Sequence, residues 1–259
     1  MKTTTQFPLD ERRYDQFIAV AELYSRWLRF RVSGLEHVPA EGPALLIGNH
    51  TGLRLHDGLA TAVALRNRHP ARRIVRTLAH TGIAALPRVA NTQTNYMGAV
   101  IGTRPNTLAL LDEGWLVMTY PEGAKSTAKP FGERDRVMPI EAWGRGWADL
   151  AAQTGVPVIP IGVSGVEAAI PTLWRSTFLG RRFGMKDDLY PVSPQAALIG
   201  FQPFLTPLLP FPVRCGLSFG PPILPSDHGN DTEKICAATH HAVAQAIDRA
   251  RHRSRGVYS

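Results

Sequence analysis

Residues 43–67, PALLIGNHTGLRLHDGLATAVALRN, indicate the fold class. The short apolar run at 43–47 predicts a buried β-strand, and residues 58–67 predict a helix. Between them lies a polar junction that contains His50 and Asp57. A strand that leads through a polar junction into a helix is typical of α/β proteins, in which ligands gather at the carboxyl ends of the strands.

The same alternation continues on both sides of this stretch. Further helices are predicted at 105–113 and 140–154, and the chain contains neither an internal repeat nor a linker that would divide it. The sequence therefore predicts a single α/β domain with a mixed, mostly parallel sheet flanked by helices. The other predicted strands are the apolar runs at 29–35, 72–79, 115–121, 156–165 and 213–220.

Residues 14–28 predict an amphipathic helix, because their apolar side chains recur at helical spacing and their charged side chains occupy another face. Two interpretations are open: the helix packs on the domain, or it lies on a membrane surface. We divide the chain accordingly into an N-terminal amphipathic helix at 1–33 and the main domain at 34–255.

Two later segments are distinguished by composition. Residues 189–213 are apolar but contain six prolines, which exclude a transmembrane helix. This segment either contacts acyl chains or a bilayer, or packs on the sheet as a buried loop. Near the end, Asp231 and Thr232 are capping candidates for a last helix, and the basic tail at 249–256 is expected to be frayed.

The whole chain is basic. It has 259 residues, 44% of them hydrophobic, and a formal net charge of +8, so it is neither disordered nor fibrous. A basic surface fits nucleic acid, an anionic membrane or a phosphorylated ligand, but no recognition element for nucleic acid accompanies the charge. Two cysteines, Cys215 and Cys236, fit a reducing compartment, and residues 1–17 lack the apolar core of a signal peptide, so we expect a cytoplasmic location.

The junction at 48–57 carries residues suited to acid–base chemistry. An imidazole such as that of His50 can remove a proton, while a carboxylate such as Asp57 fixes its tautomer and stabilises the imidazolium. The alternative is a loop histidine beside a helix-capping aspartate. His56 is a second histidine that competes for the same carboxylate.

Two more junctions carry charged residues. Residues 98–104 end in Arg104 just before a predicted helix, where an arginine and free backbone amides can bind phosphate. Residues 120–126, YPEGAKS, follow another predicted strand; Gly123 allows a ligand to approach the backbone, and Lys125 can neutralise an anion. The alternatives are a solvated surface charge and a plain turn.

In order and spacing, residues 34–170 resemble the phospholipid/glycerol acyltransferase family, whose type members acylate lysophosphatidate or glycerol 3-phosphate. The family has an Asn-His followed by four residues and an Asp, a glycine-containing strand that ends in Arg, a Phe-Pro-Glu-Gly-Thr-Arg-Ser block and a Val-Pro-Ile-Val-Pro-like strand. The corresponding residues are 49–57, 98–104, 120–126 and 156–161.

The resemblance implies a glycerol-3-phosphate acyltransferase-like fold and an O-acyltransferase activity. Such an enzyme moves a fatty acyl group from acyl-CoA or acyl-carrier protein to a hydroxyl of a lysophospholipid, glycerol phosphate or related lipid. His50 would be the general base and Asp57 would orient it, with no metal, no cofactor and no covalent intermediate, because the thioester is already activated. The head group of the acceptor would be held by Arg104, Glu122, Gly123 and Lys125, and the acyl-facing end of the sheet would be shaped by Pro160.

The departures from the family pattern concern the acceptor. Six residues separate His50 from Asp57 instead of four, and Lys125 replaces an arginine. Both features are more similar to the branch with monoacylglycerol acyltransferases, whose acceptors can be neutral. Lysine lacks the bidentate fork of arginine, so the sequence does not decide whether the acceptor carries a phosphate. Arg54 and Arg134 are further candidates to bind such a phosphate. We expect the enzyme at the inner face of the membrane, on anionic lipid.

Three other functions were weighed. A metal-dependent hydrolase would use His50, His56 and Asp57, but adjacent residues point in different directions and the sequence has no HExxH motif. A serine hydrolase is disfavoured because the sequence around Ser164 lacks the second glycine of a nucleophile elbow. A catalytically inactive lipid-binding protein on the same fold is the remaining alternative.

Overall fold

The computed structural model describes residues 6–51, 56–79, 96–123, 126, 129–182, 190–195 and 210–255. The strands are β1 (Arg31–Ser33), β2 (Ala44–Gly48), β3 (Val75–Ala79), β4 (Val100–Ile101), β5 (Leu116–Thr119), β6 (Val158–Ser164), β7 (Trp174–Ser176), β8 (Tyr190–Val192) and β9 (Gly216–Phe219). The α-helices are α1 (Glu11–Trp27), α2 (His56–Asn67), α3 (Arg104–Asp112), α4 (Gly146–Thr154), α5 (Val166–Ala169), α6 (Thr177–Arg182) and α7 (Thr232–Arg255).

Seven of the described strands form one sheet in the order β1-β9-β6-β2-β5-β3-β4. Every neighbouring pair is parallel except β6 and β9, so β1 and β9 run against the other five strands. All residues of β2 and β6 are buried, as expected for central strands with helices on both faces. The prediction of a single α/β domain with a mixed, mostly parallel sheet is confirmed.

The register of the central strands places three chain segments at one edge of the sheet. β2 lies between β5 and β6, with Ile47 opposite both Thr119 and Pro160. Because β2, β5 and β6 are parallel, the residues that follow them leave the sheet at the same edge. His50 and Glu122 both belong to these outgoing segments.

α1 packs on the domain. Asp10 caps it by accepting a hydrogen bond from the Arg13 N–H, and Tyr14, Ile18 and Ala21 are buried in the core. The packed interpretation of this helix therefore holds, while contact of its outer face with a membrane stays a prediction. No helix in the part of the chain that the structure describes is long and apolar enough to cross a bilayer.

α7 lies across β6 and β9. Its cap is Asp231, whose Oδ1 accepts hydrogen bonds from the Glu233 and Lys234 N–H groups. The expectation of a frayed tail from residue 249 is wrong, because the helix continues to Arg255. Arg251 anchors this last part, since its Nη2 donates to the Asp135 carbonyl at 2.7 Å.

The predicted helix at 140–154 is also wrong in its first half. Residues Ile140–Ala142 form a short 3-10 helix, and α4 begins only at Gly146. Two glycines, at 144 and 146, interrupt the helix, and the Gly144 N–H instead donates to the Pro121 carbonyl at 3.0 Å. Of the apolar segment at 189–213, residues 189 and 196–209 lie outside the described residues.

Candidate active site

Asn49 fixes the backbone where the chain leaves β2. Its side-chain Nδ2 donates to the Val163 carbonyl at 2.9 Å, and its Oδ1 accepts the Val163 N–H at 2.8 Å. The amide thus continues the pairing between β2 and β6 beyond the end of β2. His50 is the next residue, so its position is set by the sheet.

His50 and Asp57 meet in spite of the long loop between them. The His50 Nδ1 lies 2.7 Å from the Asp57 Oδ2, and the Asp57 side chain is 0% exposed. The carboxylate also accepts the Thr51 N–H at 3.0 Å and the Gly58 N–H at 2.8 Å. Asp57 is therefore held in one orientation at the start of α2, and it faces His50 at Nδ1 and not at Nε2.

The electrostatics of this pair favour a charged imidazolium. Burial by itself lowers the pKa of His50, but the charge of Asp57 and its hydrogen bond outweigh burial and raise the pKa above its ordinary value. Burial likewise opposes ionisation of Asp57, yet His50 and the two backbone donors hold the pKa of this carboxyl below its ordinary value. A buried carboxylate beside the ring is the arrangement that stabilises a histidine after it has accepted a proton.

The ring of His50 is supported on one face by Tyr120. The two rings are stacked with centroids 4.6 Å apart and planes inclined by 14°. Burial raises the pKa of Tyr120 well above its ordinary value, so the phenol stays neutral. Tyr120 therefore packs on His50 and adds no charge to it.

Glu122 holds the backbone of His50. Its Oε2 accepts the His50 N–H at 3.2 Å, and its Oε1 accepts the Met138 N–H at 2.8 Å. Glu122 is buried, and both oxygens are bound by the protein. The expected contact of Glu122 with the acceptor head group requires an exposed carboxylate. In the structure, the buried carboxylate of Glu122 instead holds the backbone of His50.

Lys129 completes this support, and nothing in the sequence singled it out. Its Nζ lies 3.7 Å from the Glu122 Oε2 and 3.2 Å from the Glu167 Oε1, and the side chain is 3% exposed. It also donates to the Arg136 carbonyl at 2.9 Å. A buried cation therefore lies between two buried carboxylates, one of which binds the backbone of His50.

Arg104 and Gly123 each border open space next to elements that lead to the site. Arg104 begins α3, and its Nη2 donates to the Gln153 Oε1 at 2.5 Å. It lines a cavity of about 360 Å³ that also reaches Tyr120. Gly123 has a φ of +61°, and a Cβ added there would meet nothing within 4 Å, so the backbone at this turn is open to a ligand.

The other predicted site residues are placed differently. Arg134, a candidate to bind a phosphate of the acceptor, is exposed, with its guanidinium 4.2 Å from the centroid of the Phe131 ring. Pro160 lies within β6 opposite Ile47, and its carbonyl accepts the N–H of Gly220, which follows β9, at 2.8 Å. Pro160 is thus part of the sheet interior. Arg54 and Lys125 lie outside the described residues.

His56 does not displace His50 from Asp57. Its ring packs near that of Tyr24, with centroids 5.0 Å apart, while the Asp57 carboxylate is bound by His50 and by two backbone N–H groups. Within the described ranges, no three His, Cys, Asp or Glu side chains are grouped so that they could hold a metal ion.

The fold and the site together define a class of α/β protein in which a carboxylate-oriented histidine lies at the carboxyl ends of parallel strands. Comparison with known proteins specifies the class further. The chain belongs to the Acyltransferase family, whose model matches residues 29–164. The resemblance noted in the motifs is thereby confirmed.

Two relatives and one solved structure illustrate the match. An uncharacterized protein of Mycobacterium tuberculosis is 33% identical over 208 residues, which are 80% of this chain and 55% of that protein. A Bos taurus protein named "DGAT1/2-independent enzyme synthesizing storage lipids" is 24% identical over 86% of this chain and 60% of its own length. The chain thus spans little more than half of these relatives. The crystal structure of the 1-acyl-sn-glycerophosphate acyltransferase PlsC from Thermotoga maritima has the same fold, with a TM-score of 0.60 at 16% identity over 93% of this chain and 83% of that one.

Proposed function

We propose that the chain transfers a fatty acyl group from a thioester to a hydroxyl of a lipid, with His50 as the general base. The contact that carries this proposal is the 2.7 Å approach of the His50 Nδ1 to the buried Asp57 carboxylate. Membership of the Acyltransferase family supports acyl transfer as the reaction.

In the proposed reaction, Nε2 of His50 takes the proton of the acceptor hydroxyl. The oxygen attacks the carbonyl carbon of the thioester and forms the new ester bond. As the C–S bond breaks, the thiolate leaves and receives the proton from the imidazolium, which Asp57 stabilises. The acyl group passes directly from donor to acceptor, so the step needs neither a metal nor a cofactor.

The proposed donors are acyl-CoA and acyl-carrier protein, and the proposed acceptors are a lysophospholipid, glycerol phosphate or a related lipid. Two names support lipid acceptors of different kinds. The Thermotoga neighbour is a 1-acyl-sn-glycerophosphate acyltransferase, and the bovine relative is named for storage lipids. Arg104, which lines the cavity that reaches Tyr120, and Gly123, whose backbone is open, are the described candidates to bind the head group, and Lys125 and Arg54 remain candidates.

We further propose that the protein works at an anionic membrane surface on the cytoplasmic side. The formal net charge of +8 supports attraction to anionic lipid. A lipid acceptor resides in the bilayer, so an enzyme at its surface meets the acceptor without extracting it into water.

Product identification by mass spectrometry tests the reaction. Purified protein is incubated with acyl-CoA or acyl-carrier protein and a panel of glycerol phosphate, lysophospholipids and neutral glycerides, with heat-denatured protein as the control. A product heavier than an acceptor by one acyl group, with free thiol released in equal amount, is expected. Free fatty acid in place of an acylated lipid would indicate a hydrolase, and unchanged substrates throughout would leave a lipid-binding protein; either result contradicts the proposal.

A further inference from the structure

Residues 170–182 expose large apolar side chains at one end of the sheet. Leu173 is 55% exposed, Trp174 is 56% exposed and Phe178 is 76% exposed. Large apolar side chains exposed on one surface commonly mark a site of contact with a partner or a membrane. We call residues 170–182 the aromatic arm.

The aromatic arm is built on hydrogen-bonded backbone. β7 pairs antiparallel with β8, and the Leu173 N–H donates to the Val192 carbonyl at 2.9 Å. Tyr190 and Val192 of β8 are buried, so the pair is anchored on the domain. Trp174 lies on this anchored pair, and Phe178 lies on α6, which contacts β8.

The charge of the aromatic arm has one sign. It contains three arginines, Arg175, Arg181 and Arg182, and no acidic residue, and all three arginines are exposed. Exposed aromatic rings with arginines around them match a surface of anionic lipid, in which phosphates lie above hydrocarbon. The same charge disfavours a second copy of the chain, because two basic surfaces repel each other.

The aromatic arm lies at the edge of the sheet that carries His50. β6 ends at Ser164, at the same edge as the end of β2, and α5 leads from there into the arm. The Phe131 N–H donates to the Thr172 carbonyl at 3.1 Å, which joins the arm to the segment that follows Glu122. A bilayer that contacts the arm would therefore lie on the side where the active site opens.

We propose that the aromatic arm docks the protein on anionic bilayers, with Trp174 and Phe178 in the interface and the arginines against lipid phosphates. The proposal rests on the proposed location at an anionic membrane and names the surface that makes the contact, while vesicle binding by the arm does not depend on acyl transfer. This surface is separate from α1, for which membrane contact was one of the two interpretations that the sequence left open.

Sedimentation with vesicles tests the proposal. Wild-type protein is expected to bind vesicles of equimolar phosphatidylcholine and phosphatidylglycerol, and Trp174→Ser with Phe178→Ser is expected to weaken binding by about tenfold for each aromatic ring removed. Leu224→Ser is the matched control. Leu224 is an exposed apolar residue next to Ile223, which pairs with Val158 at the opposite end of β6, so its replacement should leave binding unchanged.

The charged part of the arm has its own variants. Arg175→Gln with Arg182→Gln should reduce binding to the anionic vesicles about fivefold per arginine, while Arg175→Lys with Arg182→Lys should bind as wild type does. Vesicles of phosphatidylcholine alone should not distinguish these variants. Equal binding of the Gln and Lys variants to anionic vesicles would overturn the assignment of the arginines.

Two results would overturn docking by the aromatic arm: failure of the wild type to bind, or undiminished binding by the double serine variant. A third result against docking is a change of the double serine variant from dimer to monomer with unchanged vesicle binding. That result would show that the arm contacts a second copy of the chain. His50→Ala separates this proposal from the proposed function, because it should bind vesicles normally. If no acyl transfer is found but the arm variants lose binding, docking stands and the proposed function fails.

Discussion

His50 is fixed by contacts with three side chains. Asp57 binds Nδ1, Tyr120 covers one ring face, and Glu122 accepts the backbone N–H. Restriction of this kind holds a base in a productive orientation before substrate arrives. At the scale of the residue, the site is therefore a preoriented histidine with a buried carboxylate behind it.

The first prediction concerns the pH dependence of acyl transfer. His50 must be neutral to accept a proton, so kcat/KM should rise with pH through the pKa of His50, which lies above the ordinary value of 6.5. Asp57→Asn should lower kcat/KM by about 10³-fold and move this rise to lower pH, because the charge that raises the pKa is lost. The profile of kcat/KM against pH measures both effects. Asp227→Asn, at an exposed acid, is the control, and a rise at unchanged pH in Asp57→Asn would refute the pairing.

The second prediction assigns a positioning role to Lys129. Its positive charge lowers the pKa of His50, so Lys129→Met should shift the rise in kcat/KM to higher pH. Loss of the cation between two buried carboxylates should also lower the free energy of unfolding by about 3 kcal/mol. Lys129→Arg keeps the charge and should restore the pH profile. The same profile in the Met and Arg variants would show that Lys129 acts on stability alone.

Sequence reasoning could find the His50–Asp57 pair but not its supports. The pair belongs to a motif that lies in one short segment of the chain. The contacts of Lys129 with Glu122 and Glu167 depend on how distant loops meet above the sheet, which residue types and spacing do not encode. Tyr120 takes the place of the Phe in the family's Phe-Pro-Glu-Gly block, and its stacking on His50 follows from the parallel pairing of β2 with β5.

Among the elements, α7 makes the closest contact with the sheet. A Cβ at Gly162 of β6 would lie 2.1 Å from the backbone of Ala246, and one at Gly216 of β9 would lie 2.0 Å from the Ala250 carbonyl oxygen. Both distances are far below van der Waals contact. Glycine at these positions is therefore what lets α7 pack directly on the two antiparallel strands.

The third prediction tests this packing. Gly162→Ala should force α7 away from β6 and lower the free energy of unfolding by about 2 kcal/mol or more. Gly132→Ala is the matched control, because a Cβ there meets nothing within 4 Å, and its effect should stay within about 0.5 kcal/mol. Denaturant unfolding measures both. Equal stability of the two variants would contradict the close contact.

The elements differ in how well the sequence predicts them. Apolar runs such as 43–47 and 156–165 predict buried central strands, because parallel strands covered by helices on both faces are apolar along their length. The strands β7 and β8 were not predicted, because each has only three residues. Pro171 before β7 and Pro191 within β8 also obscure the strand pattern. The extended course of α7 depends on the bond between Arg251 and Asp135, a contact between distant parts of the chain.

At the scale of the whole molecule, we expect positive charge to help hold the protein on an anionic bilayer, with the edge of the sheet that carries His50 facing the lipid. The fourth prediction is that binding to anionic vesicles weakens as salt rises, because the screening length falls from about 10 Å at 0.1 M to about 3 Å at 1 M. Binding measured by sedimentation over this range should decline toward the level set by the aromatic rings. Binding that is indifferent to salt would contradict an electrostatic share in docking.

The fold class was predictable because several motifs agreed in order, and the Acyltransferase family match at residues 29–164 covers most of the same part of the chain. The chemical identity of the acceptor was not predictable. Arg54 and Lys125 are candidates to bind it, and both depart from the family pattern.

The most direct test of the central claim is the rate of acyl transfer by His50→Ala. With the best donor and acceptor from the product survey, kcat/KM should fall by about 10³-fold. His241→Ala, which removes an exposed histidine from α7, should leave kcat/KM unchanged. Equal rates for His50→Ala and wild type would exclude His50 as the base and contradict the account.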